Sequence, residues 1–468
     1  MSDYKMLIDG ELVSGSRSVN VINPATEQVI AQACAATEIE VNAGVVAAKN
    51  AFPDWAASSP ESRKECVQRI ADVLEDNVDD LANILTLEQG KPLADSVGEI
   101  QFAIYLLREM TRINIDVEVL AEGEGRRVEA HRSPLGVVAG IVPWNFPISL
   151  ACFKIAPALM TGNTLVLKPA GSTPLTTLRF GELLKDVVPP GVLNIIADDN
   201  DLGALLCSHP DVAKISFTGS TATGSKVLLS AARDIKRVTL ELGGNDAGIV
   251  LDDVDPKSVA PELFASAFQN CGQICIAIKR LFVQDAIYDA LCDELAAIAK
   301  VKRVGNGLTE GTEIGPLQNR AQFEKVQAII EDARFKGKII AGGASPEGKG
   351  FFVEPTIVRD IEEGARLVDE EQFGPVLPVI RFSDIDEVVR RANSSQQGLA
   401  GSVWSSSWER AYEVAKRIET GTVWINKHTE VDAAIPLGGA KQSGLGAELG
   451  RAGVESYTQL KVVNIATC

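Results

Sequence analysis

The segment FQNCGQICIAIKR (residues 268–280) places Cys275 between two isoleucines, shortly after a Gly-Gln turn signal. A cysteine can act as a nucleophile when it ionises, because the thiolate is the reactive form. A cysteine in an apolar run is more often a packing residue of the core. Cys275 is therefore a candidate nucleophile only if other segments supply a general base and a site for an oxyanion.

Two further segments contain candidates for those roles. In VTLELGGND, Glu241 lies in an apolar run that ends at two glycines, and a buried carboxyl group with a raised pKa suits a general base near neutral pH. In GIVPWNFPI, Asn145 lies between two aromatic residues that would exclude water. Its amide can donate to an oxyanion, which is worth about 3 kcal/mol per donor. The alternatives are a glutamate that points outward from an edge strand and an asparagine that caps a local turn.

A candidate phosphate site lies in FTGSTATG (217–224), which follows an apolar run and opens a helical pattern. Gly219 and Gly224 allow close backbone approach, and a helix N-terminus favours a pyrophosphate. Thr221 replaces the middle glycine of the GxGxxG fingerprint, so the match to that motif is weak. Lys168, at the end of LVLKPA, can hold ribose hydroxyls or phosphate, although a single lysine is more often a solvated surface residue.

The elements that must position these residues follow from the hydrophobic pattern. From about residue 135 to 250, short Val-, Ile- and Leu-rich runs alternate with helix-length amphipathic segments, and the rhythm recurs from about 260 to 425. This pattern predicts an α/β fold with two parallel sheets covered on both faces. Residues 40–113 have helical periodicity. The isolated strand-like segments 114–133 and 457–466 either pair with another subunit or form local hairpins.

Composition excludes several function classes. The net charge of −18, with scattered Lys and Arg, argues against a nucleic-acid partner. Eight dispersed cysteines, three histidines and no CxxC pair argue against a disulfide framework and a zinc site. The sequence has neither a signal-like start nor a long uncharged apolar stretch, so we expect a cytoplasmic protein with no membrane span.

Taken in order, eight motifs resemble the aldehyde dehydrogenase superfamily, and the likeness runs from INPATEQVI to the C-terminus. The motifs are VPWNFP, LKPA, FTGST, LELGG, NCGQICIA, EEQFGPV, TVWIN and PLGGAKQSG. The resemblance implies NAD(P)-dependent oxidation of an aldehyde to its acid, with hydrolysis of an enzyme thioester. It also implies a Rossmann-like cofactor domain, an α/β catalytic domain, a small β oligomerisation element, and a homodimer or homotetramer.

The resemblance also implies boundaries along the chain. We expect the cofactor domain over residues 1–113 and 135–240, and the catalytic domain over 241–450. The oligomerisation strands are expected over 114–134 and 451–468.

Individual roles carry over by motif. Cys275 resembles the nucleophile, Glu241 the general base that activates water, and Asn145 the oxyanion donor that acts with the Cys275 backbone N–H. Lys168 resembles a ribose-binding lysine and Ser220 a pyrophosphate contact. The other cofactor contacts that the resemblance implies are Val142, Pro143, Trp144, Gly219, Leu242, Glu371 at the nicotinamide ribose, and Phe373 against the nicotinamide ring.

One departure bears on the cofactor. Many NAD-preferring relatives carry a glutamate directly after LKPA, where this chain has Gly171. Without that carboxylate a 2′-phosphate is not repelled, whereas Asp198 and Asp199 would disfavour it if they point inward. We predict NAD or NADP, with NAD slightly favoured. Gly171→Glu is expected to strengthen NAD binding and weaken NADP binding.

A second departure bears on the substrate. Succinic semialdehyde dehydrogenases carry an arginine where this chain has Phe153. With Ile274 and Ile276 beside the cysteine, and Val431 and Leu437 further along, the pocket is predicted to be apolar. An aliphatic or aromatic aldehyde then fits better than a carboxylated one.

Two other functions compete with this interpretation. An acylating enzyme would pass the thioester to coenzyme A, but such relatives lack the carboxylate that Glu241 supplies. A binding protein on the same fold would have lost catalysis, but this chain retains the candidate nucleophile, base and oxyanion donor together.

Overall fold

Two β-sheets with parallel centres, each covered by helices, organise the chain in a computed structural model that describes residues 4–346 and 348–467. The strands are β1 (Met6–Ile8), β2 (Glu11–Val13), β3 (Arg17–Asn23), β4 (Gln28–Ala35), β5 (Glu118–Gly123), β6 (Arg126–Pro134), β7 (Val137–Ile141), β8 (Thr164–Lys168), β9 (Leu193–Ile195), β10 (Val212–Thr218), β11 (Arg237–Glu241), β12 (Ala247–Val250), β13 (Arg280–Gln284), β14 (Lys338–Ala341), β15 (Thr356–Arg359), β16 (Val376–Phe382), β17 (Gln397–Gly398), β18 (Ala400–Trp404), β19 (Thr422–Ile425), β20 (Ala440–Lys441), β21 (Gly444–Leu445) and β22 (Thr458–Ala466).

The α-helices are α1 (Glu38–Ala57), α2 (Pro60–Asp76), α3 (Val78–Gln89), α4 (Leu93–Met110), α5 (Pro147–Met160), α6 (Leu175–Leu184), α7 (Gly203–Ser208), α8 (Thr221–Ala232), α9 (Pro256–Phe268), α10 (Tyr288–Val301), α11 (Arg320–Lys336), α12 (Arg366–Asp369), α13 (Ile385–Asn393), α14 (Trp408–Ala415) and α15 (Gly450–Glu455). Two 3₁₀ helices cover Gln269–Gly272 and Asp285–Ile287. No helix in the described part of the chain is long and apolar enough to cross a lipid bilayer.

The first sheet has eight strands in the order β2-β1-β9-β8-β7-β10-β11-β21. Its five central strands run parallel, and every residue of β7 and β8 is buried. Such strands are apolar throughout because helices cover both faces of a parallel sheet. The predicted α/β fold with parallel sheets is confirmed.

The second sheet has seven strands in the order β14-β15-β16-β13-β12-β18-β19, and β14 alone among them pairs antiparallel to its neighbour. It has a separate hydrophobic core. The chain then returns to the first sheet, where β21 pairs with β11, and Ala433 and Leu449 are buried in the first core. The predicted domain boundaries stay a prediction.

A third sheet unites the two isolated strand-like segments. It has the order β22-β6-β5, and β22 pairs antiparallel with β6 from Thr458 opposite Pro134 to Ala466 opposite Arg126. The two segments therefore pair with each other within one chain. Both outer strands, β5 and β22, keep a free edge in the described structure, and their residues are largely exposed.

Candidate active site

A cavity of about 620 Å³ lies at the carboxyl ends of the parallel strands of the first sheet. Strands β7, β8 and β10 end at it with Ile141, Lys168 and Thr218. Ligands of open α/β sheets bind at this edge, because the loops that follow the strands form a crevice there. The opposite wall comes from the later part of the chain and includes Lys325 and Cys275.

All the residues predicted to contact the cofactor line this one cavity. They are Val142, Pro143, Trp144, Lys168, Gly219, Ser220, Leu242, Glu371 and Phe373. Asn145 and Cys275 also line it. The cavity therefore brings the predicted phosphate end and the predicted nucleophile into one continuous space.

Cys275 is partly accessible, whereas the other cysteines that the structure describes are buried. The loop before it begins with left-handed backbone at Asn270 (φ 50°), Cys271 (φ 58°) and Gly272 (φ 71°). A side chain on Gly272 would lie 2.3 Å from the Gly374 carbonyl oxygen, so this position requires glycine. The loop thus holds a strained conformation directly before the nucleophile candidate.

The side chain of Gln273 stabilises that loop. Its Nε2 donates to the Asn270 carbonyl over 2.9 Å, and its Oε1 accepts from the Gln318 backbone N–H over 2.9 Å. Both partners are buried, so these hydrogen bonds replace water on the inner side of the loop.

Asn145 is 4 % exposed and is held against the same loop. Its Nδ2 donates to the Gln273 carbonyl over 3.0 Å, two residues before Cys275. The backbone carbonyl of Asn145 accepts from Lys91 Nζ (2.9 Å) and from Asn270 Nδ2 (3.1 Å). The sequence predicted that this amide and the cysteine act together, and the structure brings the two residues together.

An ion pair behind Asn145 was not predicted. Lys91 and Glu99 are paired at 2.5 Å, with both side chains fully buried. Glu99 Oε1 also accepts from the Ile148 backbone N–H at the start of α5 (2.9 Å). Lys91 lies in the Gly-Lys-Pro turn at residues 90–92, and Glu99 lies on α4, the helix that follows this turn.

Glu241 ends β11, which lies between β10 and β21 and is therefore not an edge strand. Its side chain is 5 % exposed, and its Oε1 has no hydrogen-bond partner among the described residues. Burial raises the pKa of Glu241 well above its usual range; the nearby Glu448 adds to this rise, and Lys154 opposes it. An outward-pointing glutamate is thereby excluded, and a carboxylate with a raised pKa is a stronger base than an exposed one.

Lys154 and Glu448 form a buried pair close to Glu241 that the sequence did not indicate. Lys154 Nζ contacts Glu448 Oε1 and donates to Thr218 Oγ1 over 2.7 Å. Ser216 Oγ donates to the same Glu448 oxygen over 3.1 Å. These partners hold Glu448 in place, and its negative charge disfavours ionisation of Glu241.

Lys168 is buried, so the alternative of a solvated surface lysine does not apply to it. Its Nζ pairs with Asp198 Oδ1, and Asp198 Oδ2 accepts from the Leu202 N–H over 2.8 Å. The loop after β9 is closed further by the Gly171 N–H, which donates to Asn200 Oδ1 over 3.0 Å. Asp198 therefore points inward, which is the direction in which it was expected to disfavour a 2′-phosphate.

Gly171 packs directly against this loop. A Cβ at that position would lie 2.6 Å from the Asp198 carbonyl oxygen, which is backbone and cannot rotate away. The loop must therefore move before Gly171→Glu can be accommodated, and the expected effect of this substitution on cofactor choice stays a prediction.

The phosphate end of the cavity is formed by the start of α8. Ser220 is its N-cap, and its Oγ accepts from the Thr223 N–H over 3.3 Å. Three unpaired N–H groups at a helix N-terminus and the helix dipole favour an anion. Lys226 of the same helix also lines the cavity.

Glu371 and Phe373 lie at the cysteine end. Glu371 Oε1 accepts from the Gly244 N–H over 3.1 Å, and Phe373 packs edge-on against Trp144 with ring centroids 5.4 Å apart. A side chain on Gly243 would lie 2.4 Å from Glu371 Oε2, so the glycine pair after Glu241 makes room for this carboxylate.

Cys275 packs against an apolar cluster. The cluster contains Ile274, Ile276, Ala277, Leu399, Ala400 and Trp424, with Phe146, Cys275 and Val431 packed against it. Of the residues predicted for the substrate pocket, Phe153 packs on Phe102 in the first core (ring centroids 6.4 Å apart), and Leu437 exchanges backbone hydrogen bonds with Glu448. The sequence reasoning missed Phe146 and Trp424, although both lie in the motifs it singled out.

Known proteins resemble this chain over nearly its whole length. The model of the aldehyde dehydrogenase family matches residues 12–463. A betaine aldehyde dehydrogenase from Rhizobium etli is 40% identical over 98% of this chain and 96% of its own length. A mitochondrial aldehyde dehydrogenase from Leishmania tarentolae is 38% identical over 99% of this chain and 95% of its own length.

Solved structures agree with these relatives. The NAD⁺ complex of an aldehyde dehydrogenase from Bacillus cereus has a TM-score of 0.97 at 37% identity, and the match covers 99% of this chain and 97% of that one. A betaine aldehyde dehydrogenase from Staphylococcus aureus in complex with NAD⁺ has a TM-score of 0.96 at 34% identity, and the match covers 100% and 95%. This chain therefore belongs to the aldehyde dehydrogenase family.

Proposed function

We propose that this enzyme oxidises an apolar aldehyde, aliphatic or aromatic, to the carboxylic acid through a thioester on Cys275, with NAD or NADP as the electron acceptor. The observation that carries the proposal is the convergence of three groups. An accessible cysteine and a fixed amide line one cavity, and a buried carboxyl group with an oxygen that has no hydrogen-bond partner among the described residues directly precedes Leu242 and Gly243 of its lining.

Each group has a task in the proposed mechanism. The thiolate of Cys275 adds to the aldehyde carbon, and the Asn145 amide and the Cys275 N–H donate to the oxyanion that forms. The bound nicotinamide would take up the hydride that leaves this carbon. Glu241, when ionised, removes a proton from the water that attacks the thioester, and the acid and the Cys275 thiolate are released.

The residues of the cavity fit a dinucleotide. The start of α8 with Ser220 would hold the pyrophosphate, Lys168 a ribose, and Glu371 the nicotinamide ribose. The Lys168–Asp198 pair supports a preference for NAD, because a lysine already neutralised by a carboxylate attracts a 2′-phosphate less strongly. The NAD⁺ complexes of the two solved relatives are consistent with this preference.

Cofactor preference can be tested at Asp198. In Asp198→Asn, Lys168 loses its counter-charge, and we expect the ratio of the NADP⁺ to the NAD⁺ dissociation constant to fall about tenfold, the value of one charge-assisted hydrogen bond. Isothermal titration calorimetry with each dinucleotide measures the ratio. The matched control is Asp199→Asn, which changes the net charge equally at the exposed neighbouring position. An equal fall in both variants would contradict the role of the pair.

The relatives that are named betaine aldehyde dehydrogenases raise a second candidate, a quaternary-ammonium aldehyde. Phe146 and Trp424 favour it, because aromatic faces attract such cations. However, Lys91 Nζ already lies 3.9 Å from the Phe146 ring centroid, and His428 packs against Trp424 with ring centroids 4.8 Å apart. One face of Phe146 is therefore occupied by a cation, and we favour an uncharged substrate.

A substrate series tests the apolar pocket. We expect kcat/KM to rise along straight-chain aldehydes until the pocket is filled, because each buried methylene contributes up to about 0.8 kcal/mol. Succinic semialdehyde and betaine aldehyde are expected to be poor, because each would bury a charge without a partner. Steady-state formation of reduced nicotinamide measures all three. Better turnover of either charged aldehyde than of hexanal would refute the pocket assignment and leave the dehydrogenase function intact.

We further propose a homodimer or homotetramer. Exposed Leu460, Val462 and Ile465 on the outer strand β22 support it, because exposed apolar residues along a free strand edge favour association. The cytoplasmic location predicted from the sequence stays a prediction.

A further inference from the structure

The proposed nucleophile lies in surroundings that oppose its ionisation. Desolvation by the surrounding protein, together with the nearby carboxyl groups of which Glu371 has the largest effect, raises the pKa of the Cys275 thiol to about 12. Lys279 acts in the opposite direction. A working thiolate at neutral pH needs such a positive charge, because the thiol itself is a poor nucleophile.

Lys279 lies on the inner side of the loop that contains Cys275. Its side chain is 1 % exposed, and its Nζ donates to the carbonyl of Ile274, the residue directly before Cys275. The same Nζ lies 5.6 Å from the centroid of the Phe373 ring, and Phe373 lines the cavity together with Cys275. The ammonium group is therefore close to the nucleophile and is separated from bulk water.

Four other titratable groups face Lys279 from the elements packed around it. Asp246 precedes β12, and burial raises its pKa to about 8, so it is largely uncharged at neutral pH. His428 is uncharged because burial lowers its pKa to about 3. Burial lowers the pKa of Lys279 and raises that of Glu371, and each of these two groups is the largest influence that opposes the shift of the other. Lys325 is turned toward the Glu371 backbone carbonyl at 2.6 Å.

These contacts leave the charge of Lys279 shared between Glu371 and Cys275. A lysine that only closed the loop would need its hydrogen bond to Ile274, but its charge would have no function. We propose that Lys279 stabilises the thiolate of Cys275 and is thus a positioning residue for the nucleophile, acting through charge and through its hold on the Ile274 carbonyl. This inference rests on the proposed role of Cys275.

The test is the pH dependence of Cys275 alkylation by iodoacetamide in the cofactor-free enzyme, followed at the Cys275 peptide by mass spectrometry. Lys279→Gln removes the charge and keeps an amide donor for the Ile274 carbonyl. We expect the midpoint of the alkylation profile to rise by about one pH unit, so that alkylation below the midpoint becomes about tenfold slower. Lys279→Arg is expected to keep the midpoint of the unmodified enzyme.

Two further variants make the result decisive. Lys214→Gln is the matched control, because Lys214 is equally buried and donates to Thr239 in the first sheet. In this variant, the midpoint of the Cys275 alkylation profile is expected not to move. Glu371→Gln is expected to lower the midpoint, because the charge of Lys279 is then undivided; this test holds even if Lys279→Gln does not fold. An unchanged midpoint in a folded Lys279→Gln, an equal rise in Lys214→Gln, or no fall in Glu371→Gln would overturn the inference. If iodoacetamide does not alkylate Cys275 in the enzyme without substitutions, the proposed function fails instead.

Discussion

Cys275→Ala is expected to reduce the rate of aldehyde oxidation by roughly 10⁴-fold or more, because removal of a nucleophile leaves only binding and oxyanion contacts. The protein is expected to stay folded, since Cys275 is partly accessible and its replacement leaves no closed cavity in the core. Formation of reduced nicotinamide gives the rate, and thermal unfolding gives the stability. Near-normal turnover in this variant would contradict the mechanism.

Cys271→Ala is the matched control for that experiment. Cys271 is buried four residues earlier and packs in the core of the second sheet. Burial raises the pKa of its thiol far above the usual range, and none of the groups around it opposes this rise. We expect its replacement to lower stability by about 1 kcal/mol through a small cavity and to leave turnover largely intact. A comparable loss of activity in both variants would move the nucleophile assignment away from Cys275.

Glu241→Gln is expected to separate the two halves of the reaction. Acylation of Cys275 needs the thiolate and the oxyanion donors, whereas hydrolysis needs a base for water. The variant should therefore give a burst of reduced nicotinamide close to one equivalent per active site, followed by turnover that is about 10²- to 10⁴-fold slower. Stopped-flow absorbance measures both phases. Disappearance of the burst would indicate that Glu241 acts earlier, in activating the thiol.

The same carboxyl group predicts the direction of the pH dependence. Because burial and the charge of Glu448 raise the pKa of Glu241, this carboxyl group becomes available as a base only at a higher pH than an exposed glutamate does. The hydrolysis rate is therefore expected to rise with pH through the raised pKa, and Glu241→Gln should remove this rise. An acylating enzyme that depends on coenzyme A would not show it, because water is not the acceptor.

The sequence predicted the strands in which every residue is buried in the same way. Strands such as β7 and β8 are buried on both faces and are apolar at every position, so their pattern indicated a parallel sheet. The residues at the ends of these strands then had to lie at one edge of the sheet, which is where Lys168 and the loop with Asn145 are found.

The sequence could not predict the buried charge pairs. Lys91 with Glu99, Lys154 with Glu448 and Lys168 with Asp198 each join different elements. No periodicity records such a pairing, because a buried lysine and a surface lysine look alike in a sequence. The three pairs nevertheless contribute to the electrostatic surroundings of Asn145, Glu241 and the cavity.

The direction of the side chains accounts for the remaining differences between the expectations from the sequence and the structure. Phe153 follows the Asn145 motif by position, but on α5 it faces Phe102 and the first core. The close approach at Gly171 likewise depends on the conformation of the loop with Asp198, which lies elsewhere in the sequence. In both cases the motif located the backbone correctly, and the packing partner decided what the side chain touches.

The most direct test of the thioester mechanism is to identify the covalent species itself. Glu241→Gln is mixed with hexanal and NAD⁺, quenched in acid during the slow phase, digested and analysed by mass spectrometry. We predict that the peptide with Cys275 gains the mass of one hexanoyl group in place of a proton, and that Cys271 in the same peptide stays unmodified. A full burst of reduced nicotinamide with no acyl group on Cys275 would contradict the central claim.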